Sequence, residues 1–322
     1  MQHNKLLVVG ELNVDLLLNH IEGFPKIATE IIAHDMNLIL GSSSAIMAAN
    51  CAALGASTTF CGKVGSDFFG SFIVEELQQK RVDTRYVTVS ETHQSGITVI
   101  MNYDQERANV TYCGAMETLT QEDLPWNEMS NFTHMHLSNF FIQKGLREGI
   151  DSLFKRVKKM GLTTSLDLQW DPQNKWDFDY EACLPFVDVF MPNEAELLAL
   201  TKVENLEEAI AIVTPYTNTL IVKRGQKGSI GVNGSYRCEK PAFLHNNYVD
   251  SIGAGDSFNS GFIKKFMDGA TLEVCMEFGN LMGALNTTAA GGTAAFVDSE
   301  RIKDSIQTIF DIDLTQYDEI KR

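Results

Sequence analysis

Apolar runs and alternations along the chain predict strands and helices in regular succession. Residues 5–10 (Lys-Leu-Leu-Val-Val-Gly) are a short apolar run of the kind that fills the inside of a parallel sheet. Glu11, Asn13 and Asp15 then alternate with Leu12, Val14 and Leu16, so three polar groups fall on one side as that strand ends, at a sheet edge. Plain exposure to solvent produces the same alternation. Residues 28–40 read as extended and lead through Gly41, Ser42, Ser43 and Ser44 into a helix reaching about residue 54. Next come a strand from 56, a glycine-rich turn at 62–70 and a helix at about 68–79. Residues 96–103 and 107–113 alternate around Asp104-Gln105-Glu106, which predicts a hairpin. Further strands are expected at 134–137, 162–168, 186–191 and 219–223. Helices are expected at 144–160 and from Asn193 onward, the first with Leu146, Ile150, Leu153, Phe154 and Val157 as its apolar stripe. Repeated βα units imply an α/β fold: a mainly parallel sheet, helices on both faces, and a site where the strands end.

Composition narrows the possible partners more than the fold. With 322 residues, 44% of them hydrophobic, the chain has material for one large domain or two small ones. A formal net charge of -16 argues against nucleic acid or an anionic membrane, both of which need a basic face. The six cysteines, Cys51, Cys61, Cys113, Cys183, Cys238 and Cys275, form no Cys-x-x-Cys pair and have mostly apolar or small neighbours, which predicts buried thiols in a reducing compartment. The apolar run before Glu11 is too short for a secretory segment, so the expected location is cytoplasmic. Residues 36–62 and 278–297 carry no charge, but they contain too much Gly, Ser, Thr and Asn to be membrane spans.

Candidate chemistry concentrates in residues 250–263, Asp-Ser-Ile-Gly-Ala-Gly-Asp-Ser-Phe-Asn-Ser-Gly-Phe-Ile. Gly253, Ala254 and Gly255 stand where a helix begins, and a helix N-terminus offers unpaired N–H groups to an anion. Asp256 falls in the first turn, within reach of whatever those amides hold, where a carboxylate can take a proton from an attacking hydroxyl. An anion cradle beside a base suggests phosphoryl transfer, although Gly-Ala-Gly-Asp also suits an ordinary helix start. Upstream, Asn193-Glu194-Ala195-Glu196 follows a predicted strand. Lys223, Arg224 and Lys227, with Gly225 and Gly228 between them, form a compact basic cluster suited to a polyphosphate. His134 and His136 point to one face of a strand, but no third ligand for a metal is evident.

Asp250, Gly253, Ala254, Gly255, Asp256, Ser260 and Gly261 together resemble the C-terminal signature of the ribokinase-like (PfkB) carbohydrate kinases. The resemblance extends from Gly10 to Gly292. It implies one kinase domain over residues 1–322, with a β-lid formed from about 12–40 and 95–114 that covers the sugar and often pairs two chains as a homodimer. It further implies ATP with Mg²⁺, and often a monovalent cation such as K⁺ near Asp250. On this resemblance Asp256 is the base and the Gly253, Ala254 and Gly255 amides form the anion hole. Asn193 and Glu196 order Mg²⁺, mostly through water, while Lys223, Gly225, Gly228, Asp250 and Asn193 face the nucleotide. Asp15 and Asn13 would bind sugar hydroxyls together with Gly41, Ser42 and Ser43. Two departures stand out. Ile46 occupies the place of a usual sugar-binding Asn, so either the substrate lacks the corresponding hydroxyl or another group, Ser43 or Ser44, supplies that contact. Asp167-Leu168-Gln169-Trp170-Asp171 stands where relatives often carry Asp-x-Asn-x-Arg. The expected acceptor is a small carbohydrate. A nucleoside kinase of the same superfamily, or a sugar or nucleotide sensor without turnover, are the alternatives.

Overall fold

A computed structural model describes residues 4–103 and 106–317, so Asp104 and Gln105, at the tip of the expected hairpin, lie outside the described residues. In chain order the strands are β1 (Lys5–Val9), β2 (Asn13–Ile21), β3 (Ala33–Leu40), β4 (Ser57–Gly65), β5 (Asp83–Ser90), β6 (Gly96–Tyr103), β7 (Glu106–Tyr112), β8 (His134–Ser138), β9 (Thr163–Asp167), β10 (Val189–Phe190), β11 (Thr219–Lys223), β12 (Ser229–Asn233) and β13 (Tyr236–Lys240). The helices are α1 (Ser43–Ala53), α2 (Phe68–Gln79), α3 (Lys144–Arg147), α4 (Ile150–Lys159), α5 (Tyr180–Cys183), α6 (Glu194–Thr201), α7 (Leu206–Val213), α8 (Ala254–Met267), α9 (Leu272–Asn286) and α10 (Ser299–Phe310).

Two sheets result. A nine-stranded sheet runs β13-β12-β11-β10-β9-β8-β1-β4-β5 and is parallel from β11 to β5, with β12 pairing antiparallel to both β11 and β13 at one end. A four-stranded sheet runs β3-β2-β6-β7. The α/β expectation holds, and strand pleating explains the two cores. Leu7 and Val9 of β1 join Leu137, Leu166, Phe190 and Leu220 on the face covered by α4, α6 and α7. Leu6 and Val8 point the other way, onto the residues of α1, α2, α8 and α9. On that face Phe258, Phe262 and Phe266 of α8 stack in sequence, with centroids 6.2 and 6.5 Å apart.

Several boundaries differ from expectation. Asn13 and Asp15 do not mark the edge of the first sheet; they open β2, which is flanked by β3 and β6 in the small sheet. The turn expected at 62–70 shrinks to Ser66 and Asp67, because β4 continues through Gly65. Asp67 then caps α2, accepting from Gly70 N at 2.8 Å and Ser95 N at 2.7 Å. The single helix expected at 144–160 is broken into α3 and α4. Glu148 is extended and Gly149 adopts a left-handed φ of 71°, which interrupts the helix; Gln121 Nε2 donates to the Glu148 and Gly149 carbonyls at 3.1 and 2.9 Å, the latter also accepting from Leu153 N at 3.0 Å as α4 begins. The strand expected at 186–191 contracts to β10, because Leu184–Phe186 forms a 3₁₀ turn around Pro185. Cys51, Cys61, Cys183 and Cys275 are buried as expected, whereas Cys113 and Cys238 are half-buried. No helix of the described residues is long and apolar enough to cross a membrane.

His134 and His136 are fully buried in β8 and are occupied by hydroxyls. His134 contacts Thr163 Oγ1 and Ser165 Oγ, both at 2.8 Å; His136 contacts Ser165 Oγ at 2.7 Å and Ser138 Oγ at 2.6 Å. The described residues contain no cluster of three His, Cys, Asp or Glu that could hold a metal. Burial, joined by the Lys223 charge, pushes His136 down to about 3. The unfolded chain therefore binds a proton that the folded chain refuses, so stability is complete above about pH 6.5 and falls as the pH drops. Urea unfolding as a function of pH should show the parent chain losing about 1.5 kcal/mol more than a His136→Gln variant between pH 6.5 and 5. Parallel curves would mean that this ring ionises freely in the fold.

Candidate active site

A cavity of about 490 Å³ opens where the parallel strands end, between the two sheets, with Asp256, Lys223 and Glu196 toward one side and Asp15, Thr98 and Asn109 toward the other. Gly253 caps α8 with a φ of 74°, and a Cβ there would lie 2.5 Å from Gly292 Cα, so only glycine fits this approach. The α8 N-terminus has no side-chain cap. Ala254 N donates to Ser251 O at 3.2 Å, which removes it from the expected anion hole. The Gly253, Gly255 and Asp256 amides have no acceptor among the described residues. Gly253 and Gly255 line the cavity.

Asp256 is 8% exposed. Burial, followed by the Asp167 charge, raises its carboxyl to about 7, with Glu11 and Glu196 adding and Lys223 opposing. Gln169 Nε2 donates to Asp256 Oδ1 at 3.0 Å. Behind it lies a buried ion pair: Lys223 Nζ is 2.6 Å from Asp167 Oδ2 and donates to Asn259 Oδ1 at 3.3 Å. Burial disfavours the Lys223 charge, yet Asp167, Glu196 and Asp256 together hold its pKa above the usual lysine value. Removing one partner of such a pair costs about 3–5 kcal/mol, because the other charge is stranded.

Asn193 and Glu196 line the cavity and cap α6 reciprocally. Asn193 N donates to Glu196 Oε2 and Glu196 N donates to Asn193 Oδ1, each at 2.9 Å. Burial, then Asp167, raises Glu196 to about 7. One Glu196 oxygen is left for an ion, a donor set that suits a hydrated Mg²⁺ rather than a fully caged metal. The basic cluster is divided: Lys223 and Gly225 line the cavity, while Arg224 donates to Glu194 at 3.1 Å and Lys227 stands 4.0 Å from the same carboxylate. Gly228 turns the chain with a φ of 83° outside the cavity wall. Asp250 is also outside that wall; its carboxylate accepts from Ile252 N at 2.8 Å and Gly291 N at 2.9 Å, which fixes the loop before α8.

On the opposite wall, Asn13 Nδ2 donates to Asp15 Oδ1 at 2.9 Å and Thr98 Oγ1 at 3.0 Å. Burial raises Asp15 to about 6, against the Asn13 hydrogen bond. Gly41 lies under this pair, where a Cβ would come 2.3 Å from Asp15 Oδ1. Ser42 and Ser43 line the cavity, but their hydroxyls donate to Glu11, through its carbonyl and its carboxylate respectively. Ser44 also donates to the Glu11 carboxylate, so neither Ser43 nor Ser44 is spare to replace the missing Asn. Asn50 is buried away from the cavity, donating to Ser257 Oγ and Gly292 O, both at 2.9 Å. Ile46 does line it. Sequence reasoning missed Arg107, Asn109 and Thr111 of β7 and the contact of Gln169 with Asp256. The β7 residues alternate at a spacing of two, the signal that places them on one strand face.

A sequence profile described as pfkB family carbohydrate kinase matches residues 3–299. A ribokinase of Staphylococcus aureus is 28% identical over 307 residues, covering 91% of this chain and 96% of its own length. An ATP-dependent ribose-1-phosphate kinase of Halopiger xanaduensis is 25% identical over 297 residues, covering 90% and 94%. The structure of Arabidopsis thaliana ribokinase complexed with ribose and ATP superposes with a TM-score of 0.80 at 26% identity, covering 95% of this chain and 99% of the other. The fold is thus ribokinase-like, and the chain belongs to the pfkB family of carbohydrate kinases, phosphotransferases that act on an alcohol group.

Proposed function

We propose that the protein transfers the γ-phosphoryl group of ATP to a hydroxyl of a small carbohydrate: ATP + R–OH → ADP + R–O–PO₃²⁻ + H⁺. One observation carries this reading: the buried Asp256 carboxyl and the unpaired amides at the start of α8 face the same cavity as Asp15. Asp256 takes the hydroxyl proton. The Gly253 and Gly255 amides, with Lys223 behind them, stabilise negative charge on the moving group. Asp15, raised from below by Gly41 and steadied by Asn13, accepts hydrogen bonds from sugar hydroxyls. Asn193 and Glu196 would hold Mg²⁺ through water, and the ion would neutralise phosphate charge. A monovalent cation beside Asp250 belongs to the same reading, and dependence of turnover on K⁺ tests it. The whole chain acts as one kinase domain, with the small sheet as a lid that excludes water. Five apolar cavity residues, Ile46, Ile100, Met116, Ile142 and Ile252, favour a nucleoside as the second reading of the acceptor.

ADP release from Mg-ATP across sugars, sugar acids, sugar phosphates and nucleosides, with Asp256→Asn as blank, tests the reaction and its acceptor together. Turnover should fall by about 10²–10⁴ in that variant while ATP still binds. Because the base works ionised, the parent rate should rise with pH through a midpoint near the value of about 7 set by the Asp256 environment. A variant with near-normal turnover would remove Asp256 from the chemistry.

Asp15→Ala should raise KM for the acceptor about tenfold or more and leave KM for ATP within about twofold, as expected for loss of hydrogen bonds to one substrate. Equal effects on both would place Asp15 outside the acceptor site.

The lid is also proposed as the contact of a homodimer. Val110 and Tyr112 alternate with the cavity-facing Asn109 and Thr111, and they are 63% and 49% exposed on the outer face. Sedimentation should give a dimer mass for the parent chain and a monomer mass for Val110→Glu; a monomeric parent would refute the contact.

A further inference from the structure

Gln169 lies two residues beyond β9 in a left-handed conformation with a φ of 59°, a region that side-chain-bearing residues enter seldom. Its carboxamide stands between two carboxylates. Nε2 donates to Asp167 Oδ2 at 3.1 Å and to Asp256 Oδ1 at 3.0 Å, which uses both of its N–H bonds. Its backbone N donates to Asp167 Oδ1 at 3.3 Å. Asp167 is itself anchored by Lys223 Nζ and by Asn259 Nδ2, each 2.6 Å from Oδ2. The amide therefore rests on a fixed, charge-balanced support. Among the described residues, Asp256 Oδ2 accepts no hydrogen bond.

We propose that Gln169 is a positioning residue for the base: by holding Oδ1 of Asp256 it leaves Oδ2 turned into the cavity as the oxygen that receives the acceptor's proton. This rests on the reading of Asp256 as the base. The chemistry of the side chain accounts for its suitability. A primary amide is neutral and carries two N–H bonds on one nitrogen, so it satisfies two carboxylates without pairing off the charge of either. An arginine would neutralise the base it orients. A glutamate would add a further negative charge beside Asp256, which already feels Glu11, Asp167 and Glu196 against Lys223. An apolar residue would leave Asp256 Oδ1 buried without a donor.

Donation to the ionised carboxylate favours ionisation, so loss of the amide should raise the pKa of Asp256. The test is ¹³C NMR titration of the full chain labelled at aspartate Cγ, with the Asp256 signal assigned by its disappearance in Asp256→Asn. In Gln169→Met, which keeps the length and removes the donors, that signal should titrate about one unit higher than in the parent. Gln169→Glu, closer still in shape, should shift it in the same direction and serves if the Met variant does not fold. An unchanged Asp256 titration in the folded variants would overturn the proposal. Where an acceptor is known, kcat should fall about tenfold to a hundredfold, the acid limb of the rate profile should move upward with the titration, and KM for ATP should stay within about twofold. The titration needs no turnover, so a chain that released no ADP with any acceptor would count against the kinase reading and leave the positioning role to be judged by the carboxyl alone.

Discussion

Four carboxylates, those of Glu11, Asp167, Glu196 and Asp256, are buried around the ends of the parallel strands, and one ammonium, that of Lys223, lies among them. Burying acid in this density is costly unless each group is paired, hydrogen-bonded or protonated. All three remedies are present. Asp167 takes the ion pair, Glu11 collects donors from Ser43, Ser44 and Asn139, and burial raises the carboxyls of Asp256 and Glu196 to about 7, where protonation comes within reach. The elements that meet at the cavity each supply part of this balance, so their arrangement and the charge balance depend on each other. On the proposed reading, this excess of negative charge would favour a cationic metal that arrives with the phosphates.

Six strands of the large sheet, β1, β4, β8, β9, β10 and β11, were legible from their apolar runs, and β11 matches the expected residues 219–223 to the end, whereas β5, β12 and β13 were not expected. The helix start at Gly253 was legible because glycine there answers a local demand of the backbone. Less local features were hidden. The break at Gly149 is met by Gln121, far back in the chain, and the parallel pairing of β2 with β6 joins, across about eighty residues, the two segments from which the resemblance alone implied a β-lid. Neither leaves a periodic trace.

The site was legible in its residues more than in their duties. Asp256, Asp15, Asn193, Glu196 and Lys223 do line one cavity. Ser43 and Ala254 read as spare donors, yet each is committed to a neighbour inside the fold. Sequence alone does not show which hydrogen bonds are already spent. Gln169 read as a departure from a pattern, and only the geometry shows that it spans two carboxylates.

The cavity walls come from two separately built surfaces. Asp256, Gly253, Gly255, Lys223 and Glu196 stand on the large sheet and its helices, while Asn13, Asp15, Thr98, Arg107, Asn109 and Thr111 stand on the four-stranded sheet. On the proposed reading, such a division would let a lineage try new acceptors on a preserved phosphoryl-transfer apparatus, and would give an engineer seeking a new acceptor a short strand pair, β6 and β7, in which to diversify residues first.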